Sequence, residues 1–456
     1  MISVVVVTLV VWLVLVFLSV TAGIEKTWIS KLTSLYAPLR ICPTDDYYRS
    51  YFYQIDAYAS ASNHTLKTIG EKAQSLASDP YVVMDDMELP QRLSKSELDG
   101  EGSLIDPVKL AFRALGETKH TFADLTYQDY EISGALLKLE LLREGRISYL
   151  SQMSYLLSFQ QENPFFSTLL LDAPHALSDN EVLLPKSYQA NGVQVGDHGV
   201  LSYSATTSAV SQEQRIPIRV VGFYDPGLLS IGNRSLIVPS HITRQIYSSS
   251  QTFCPDGSPT NGIFVWPKNI KEVPKIAERL QKRFQQMGID KYWKITSFEE
   301  YEFSKDLLQQ FRSDRLLFSL IGAIILFVAC CNIISLLILL VNDKKREIAI
   351  LQSMGATRKS IVCIFAICGT AMGVLSCLLG TTAALFTLRN LDTLLVFLSK
   401  IQGKTPLIFH QTLSKELSAE ALFFTLLATP ILSLFAALLP ALKASRIRAS
   451  TVLRSE

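Results

Sequence analysis

Charge is what this sequence most lacks. Lys, Arg, Asp and Glu make up 18% of its 456 residues, against roughly 25% in an ordinary soluble protein. Histidine is also scarce. There are six, with no H-E-x-x-H pair, which removes that kind of zinc site. His64, His120, His175, His198 and His241 read as solvated loop or surface residues. No G-x-x-x-x-G-K-[ST] loop cradles phosphates, because Gly100-Glu101-Gly102-Ser103 lacks the Lys. No G-x-S-x-G elbow holds a nucleophile. A net charge of +2, with no basic stripe, argues against nucleic acid as a partner. The chain carries no catalytic constellation, so it reads as non-catalytic, with no cofactor or metal of its own.

The charge deficit is concentrated. Ile2–Ile24, Leu316–Asn342, Ser360–Leu388 and Ala421–Leu442 contain no Asp, Glu, Lys or Arg, and the remainder is charged at an ordinary level. A hydrocarbon core of about 30 Å takes roughly 20 helical residues, so each run is long enough to span it. Both a purely soluble enzyme and a channel made only of helices are excluded. The first run could be a signal peptide, with Val20-Thr21-Ala22 as a small-residue site. It lacks a basic leader and is too long for the usual apolar segment, so it is read as a retained membrane helix. Five of the seven cysteines lie inside the runs; Cys42 and Cys254 do not. In an exported domain these two would form a disulfide or stand as two thiols.

Basic residues set the orientation. Lys344, Lys345, Arg346, Arg358 and Lys359 crowd the loop between the second and third runs. Lys443, Arg446, Arg448 and Arg454 follow the fourth. The positive-inside rule places both segments in the cytoplasm. The sequence therefore predicts membrane helices at 2–24, 316–342, 360–388 and 421–442. A large extracytoplasmic α+β domain at 25–315 lies between the first two, with a stalk helix from about residue 298. A cytoplasmic helix-bearing loop occupies 343–359, an extracytoplasmic loop 389–420 and a cytoplasmic tail 443–456. Val182–Pro185, Val200–Tyr203, Ile216–Val221 and Ser235–Val238 read as strands, with turns at Asn191-Gly192 and Gly196-Asp197. Ala135–Arg146 and Val273–Met287 read as helices. Ser297-Phe298-Glu299-Glu300 reads as a capping box opening the stalk.

The most informative segment is Asn342–Thr357. It is charged, then amphipathic, and ends at Gly355, a helix-stop residue. Ile348, Leu351 and Met354 fall at helical spacing and predict one apolar stripe. Such a stripe would rest either on lipid headgroups or in a groove of a cytoplasmic partner. In the third run Gly369, Gly373 and Gly380, with Ser376, repeat a small-xxx-small spacing that predicts close helix packing. Asn332, midway along the second run, predicts an interhelical hydrogen bond. Pro430 predicts a kink in the fourth.

Glu347-Ile-Ala-Ile-Leu-Gln-Ser-Met-Gly-Ala-Thr357 resembles the coupling-helix signature of MacB/FtsX-type, or type VII, ABC transporter permeases. Ala329–Ser335 is similar to the Asn-Ile-bearing second helix of their lipoprotein-releasing LolC/LolE branch. Val182–Val200 with Val195-Gly196-Asp197, Val220–Phe223, Ser235–Pro239 and the tail from Leu439 resemble the same branch. Two departures stand out. The family's basic segment ahead of the first membrane helix has no counterpart in this sequence, and Arg448–Thr451 stands where the family commonly has Pro. Residues 45–175 resemble nothing specific.

The resemblance implies a multi-pass permease of the bacterial inner membrane with its large domain in the periplasm. It would pair with a second copy or a sister permease, and bind a separate ABC ATPase that holds the ATP. It would extract acylated lipoproteins from the membrane lipid and pass them to a periplasmic carrier. Glu347, Ile348, Ala349, Leu351, Met354 and Gly355 would couple to the ATPase. Trp12, Phe17, Phe318 and Phe327 are candidates to line a lipid cavity or simply to face lipid. Ser202–Gln214 would be a projecting hairpin that receives the carrier, through Ser202, Gln212 and Gln214, or a plain loop. A MacB-like exporter or FtsX-like regulator acting on a peptide, drug or periplasmic partner is the alternative. A sensor or adhesive receptor fits less well, because no cytoplasmic output domain follows.

Overall fold

The computed structural model describes residues 2–50, 52–53, 67–74, 105–122, 124–143, 145–166, 177–206, 210–227, 232–249, 260–391, 393 and 419–445. They form two compact units, one of Met1–Thr27 with Leu308–Glu456 and the other of Trp28–Leu307.

In the first unit four helices are long and apolar enough to cross a membrane. With helices numbered in chain order, they are α1 (Ile2–Tyr36), α8 (Glu302–Asp343), α10 (Arg358–Arg389) and α11 (Ala419–Ser445). Between α8 and α10 lies the short α9 (Lys345–Ser353). The bundle core is a set of one-sided rows. Val7, Val11 and Leu15 come from α1, and Ala329, Ile333, Leu337 and Val341 from α8. The α8 row repeats every fourth residue, so one face is buried while Leu316, Leu320, Phe327 and Leu339 stay exposed. On α11 the core side chains are small, Ala421, Ala436, Ala437, Ala441 and Ala444 with Thr425, Thr429 and Ser433, which lets backbones approach closely.

Two helices outrun their uncharged runs. α1 continues through Glu25 and Lys26 to Tyr36, and α8 begins at Glu302, well before Leu316. Stalk and second apolar run are thus one helix. The capping box at Ser297 does not form. Ser297 instead ends a strand, and the Glu300 N–H donates to its carbonyl at 3.0 Å in a turn.

The second unit has two apolar cores that share one strand. β1 (Leu39–Pro43), β8 (Asn261–Trp266), β9 (Trp293–Ser297) and the first part of β2 (Thr126–Arg143) form an antiparallel sheet in the order β2-β8-β1-β9. Helices α4 (Pro107–Thr121) and α7 (Val273–Gln286) cover it. Asp106 caps α4 by accepting from the Val108 and Lys109 N–H groups, and Pro107 occupies the first turn. α7 buries Val273, Ile276, Leu280 and Phe284, a row at helical spacing.

The rest of β2 joins β3 (Arg146–Ser158), β4 (Glu181–Pro185), β5 (His198–Thr206), β6 (Ser211–Tyr224) and β7 (Ser235–Val238). Pairings run β2-β3-β7-β4-β6-β5 and back to β2, a closed ring of six strands. Leu137, Leu139, Leu141, Val182, Leu201, Ile218 and Val238 fill it. α6 (Ser240–Ser249) adds Ile242 and Ile246.

In place of the helix expected at Ala135–Arg146, Ala135–Arg143 belong to strand β2 and Arg146 opens β3. The segment's Leu, Lys and Glu content favours helix, but Leu137, Leu139 and Leu141 alternate with Lys138 and Glu140. Pairing with both β3 and β5 realises that period of two, so tertiary context outweighs propensity. The other expected strands fall within β4, β5, β6 and β7.

Candidate functional site

Met354-Gly355-Ala356-Thr357 links α9 to α10. Gly355 has φ +102°, a conformation that costs a side chain roughly 1 kcal/mol or more. Its N–H donates to the Gln352 carbonyl at 3.1 Å, and the Ala356 N–H donates to the Leu351 carbonyl at 3.0 Å. That pair of bonds is a Schellman stop. Thr357 then opens α10, its hydroxyl accepting from the Ser360 N–H. Glu347 pairs with Lys344 at the start of α9.

The expected stripe splits. Ile348 and Ala349 are buried, with Ile348 in the bundle core. Leu351 is 48% and Met354 80% exposed. α9 is therefore rooted inward by one pair of residues and presents the other pair, with Ile350, at the surface.

The third apolar run packs through its small residues. A Cβ on Gly369 would collide with the Ala437 side chain and lie 3.3 Å from the Ser433 carbonyl. On Gly380 it would lie 2.6 Å from the Val11 side chain. α10 thus packs closely on α11 through Gly369 and on α1 through Gly380. The Ser376 hydroxyl donates to the Val4 carbonyl at 3.2 Å. Among the described residues Asn332 makes no side-chain hydrogen bond, and it is half-buried. The interhelical bond expected of it is not seen among the described residues. Pro430 lies inside α11.

Of the four aromatic candidates, Phe17 and Phe318 stack with ring centroids 5.7 Å apart. Trp12 turns away, its indole N–H donating to the Thr387 hydroxyl at 2.9 Å. Phe327 is 68% exposed. The structure brings together one pair of the four.

In the second unit, β5 and β6 form an antiparallel hairpin out to Thr206 and Ser211; residues 207–209 of its tip lie outside the described residues. Gln212 and Gln214 are exposed on it, whereas Ser202 is buried. Val195-Gly196-Asp197 is a structural turn. The Asp197 carboxylate accepts from the Gln194 N–H at 2.8 Å and grips Arg143 with both oxygens. Cys42 is a buried free thiol 3.4 Å from the Tyr130 hydroxyl, and burial pushes its pKa up. Its expected disulfide partner, Cys254, lies outside the described residues. Among the described residues no three His, Cys, Asp or Glu side chains gather as a metal site would need.

Two buried charges carry no signal in the sequence. Arg40 is 3% exposed, with its guanidinium 4.4 Å from the Tyr301 ring centroid, 5.4 Å from Tyr130, 5.6 Å from Phe264 and 6.0 Å from Tyr36. Its Nε and Nη2 find no hydrogen-bond partner among the described residues. Ring faces stand where a carboxylate is usual. The Tyr301 hydroxyl in turn donates to the Ala37 carbonyl at 3.1 Å.

Glu131 is 6% exposed, at the point where β2 passes from one core to the other. Burial lifts its pKa to about 7, with Arg244 acting in the opposite sense. Thr243 on α6 lies 3.5 Å from it. Beside it, Arg244 binds both oxygens of Glu71, at 2.9 and 3.1 Å, from α3 (Ile69–Gln74).

Residues 319–449, which contain α9 and the packed α10–α11 pair, match the family model described as FtsX-like permease C-terminal. The chain is similar to the lipoprotein-releasing system transmembrane protein LolE of Haemophilus influenzae, with 35% identity over 29% of this chain and 33% of LolE. It is also similar to LolC of that organism, with 30% identity over 39% of this chain and 43% of LolC. LolC of Xylella fastidiosa is 24% identical over 33% of this chain. The matches thus span one third to two fifths of the relatives' lengths. With its four apolar helices, the chain is a multi-pass membrane protein carrying an FtsX-like permease domain.

Proposed function

Starting from an FtsX-like permease domain and a likeness to LolC and LolE, we propose that this chain is the membrane subunit of an ABC transporter that releases lipoproteins from the inner membrane. One observation carries the reading. Within the matched region, α9 is anchored by Ile348 and Ala349 and closed by a Schellman stop, yet offers Leu351 and Met354 outward. A rooted helix with an exposed apolar end is what a force-transmitting knob requires. A headgroup-resting helix would instead lay its apolar face on lipid.

In this reading the basic flanks of α9 lie in the cytoplasm, where a separate ATPase subunit binds and hydrolyses ATP. Residues 28–307 then lie in the periplasm. The chain pairs with a second permease, its own copy or a sister. The cargo's chemistry sets a further condition. Each buried methylene is worth about 0.8 kcal/mol, so drawing two or three acyl chains into water would cost on the order of tens of kcal/mol. The lipid has to pass from bilayer to apolar surface to apolar carrier. The stacked Phe17 and Phe318 would form part of that surface, and the β5–β6 hairpin with Gln212 and Gln214 would receive the carrier.

The test is purification of the tagged full-length chain from its native membrane, followed by reconstitution with whatever co-purifies. A partner with phosphate-loop ATPase activity, and ATP-dependent transfer of an acylated protein to an apolar carrier, are the expected results. ATPase activity without acylated cargo would favour the exporter or regulator reading. No co-purifying ATPase would overturn the proposal.

A further inference from the structure

Strand β3 has an edge that the transport role leaves unused. β7 pairs with it only over Tyr155–Ser158. Among the described residues no strand lies against Arg146–Ser154 on that side. The edge is also unguarded. From Ile147 to Ser158 the sequence has no Asp, Glu, Lys, Arg or Pro, the residues with which edge strands usually discourage pairing. On the outer face of the six-stranded ring, Ile147 is 60%, Tyr149 72% and Met153 46% exposed. Leu142, directly opposite Ile147, is 64% exposed. Single exposed apolar residues are ordinary, but four on one hairpin face form a patch.

An open row of backbone N–H and C=O groups selects an extended polypeptide, the ligand that repeats donors and acceptors at strand spacing. Neutrality narrows the choice. A charged strand laid here would lose hydration and meet no opposite charge on β3 from Ile147 to Ser158. The chain itself supplies a neutral strand of matching length. With two copies of β3 antiparallel and both Leu150 residues on a two-fold axis, Ile147 opposes Met153 and Tyr149 opposes Ser151 on the outer face. Ser148 opposes Gln152 on the inner face. Shifting the register by one residue would set outer residues against inner ones. The two Arg146 residues fall at opposite ends of the ladder, about 27 Å apart at roughly 3.4 Å per residue, so they do not repel strongly.

We infer that the free edge of β3 is a self-association surface, which takes the same strand of a second copy of this chain in antiparallel pairing across Leu150. The inference rests on the proposed pairing of permeases and names its partner.

Its test keeps the full-length chain in the membrane. Two differently tagged copies are co-expressed with p-benzoylphenylalanine in place of Tyr149, irradiated, and analysed for adducts. The expected result is an adduct carrying both tags, reduced several-fold by Met153→Lys. The same photoreactive residue in place of Val195, exposed elsewhere on the unit, should give little. An adduct only with a different polypeptide, no adduct, or equal two-tag adducts from both positions would overturn the inference. Co-purification of the ATPase, measured in the same membranes, reports separately on the transport reading. Two-tag adducts without ATPase would sink transport and keep the pairing; ATPase without two-tag adducts would do the reverse.

Discussion

Gly373 on α10 lies so close to Ser433 on α11 that a Cβ at residue 373 would come within 2.7 Å of the Ser433 Cβ and 3.5 Å of the Pro430 Cα. Neither neighbour can swing aside, since both sit on a packed helix. Gly373→Leu should therefore separate the helices, at a cost on the order of 1–3 kcal/mol. The measurement is thermal inactivation in detergent, where the variant should melt several degrees lower. Gly116→Ala, mid-helix in α4 with open space around it, should instead raise the melting temperature slightly, since Ala favours a helix interior over Gly by up to about 1 kcal/mol.

The elbow after α9 should respond differently at its two faces. Ile348→Asp puts a carboxylate into the bundle core and should prevent stable folding. Met354→Asp alters a side chain that is already 80% exposed. It should leave the helical circular dichroism and melting intact while reducing ATP-driven release at least tenfold. Release unchanged in the reconstituted system would remove Met354 from the coupling surface.

Gly355→Val should cost roughly 1–2 kcal/mol because of its positive φ. Thr357→Ala should cost about 1 kcal/mol through the lost cap. Hydrogen exchange over residues 345–360 reads both, with faster exchange expected at the end of α9 in the first variant and at the start of α10 in the second.

Glu131 and Lys72 give the second unit a stability minimum. The carboxyl, lifted by burial to about 7, binds its proton more tightly folded than unfolded. Its contribution is full below pH ~4.3 and disappears as pH rises through 7. Burial holds Lys72 down at about 8, so its contribution is full above pH ~10.4 and disappears as pH falls through 8. Denaturation followed across pH should be least favourable to the fold near 7–8. Glu131→Gln should flatten the acid limb, and Lys72→Met the alkaline one.

Arg40 offers a sharper contrast. A buried cation held by rings and short of hydrogen bonds is replaced with little loss by an apolar chain of similar length. Arg40→Met should keep the melting temperature within a few degrees, whereas Arg40→Ala, which opens a cavity, should cost about 2–5 kcal/mol. If Met proved as damaging as Ala, the guanidinium's charge would be structurally required.

The apolar runs, the elbow and most strands were legible because each rests on local chemistry. Examples are the missing charges, the Gly355 stop and the alternation in β6. Of the long helices, α1 was legible only in its apolar part, whereas α8, from Glu302, includes the stretch read as a stalk. Whether α1 stops at Ile24 or continues to Tyr36 depends on packing in the second unit, as with the buried Trp28, Leu32 and Leu35. Ala135–Arg146 misled through composition, because Leu, Lys and Glu favour helix while their order fits a strand. Arg40 and Glu131 were invisible, since nothing near either in sequence announces burial. The partners that surround Arg40 come from residues 36, 130, 264 and 301.

Strand β2 belongs to both cores of the second unit, antiparallel to β8 through Glu131 and to β3 from Ile132 onward. It acts as a shared beam. A load applied to either half travels along one covalent strand held by neighbours throughout its length, and no loop at the boundary can absorb it. The two halves should therefore melt together and tilt together, so that a pull on one moves the other by the same angle.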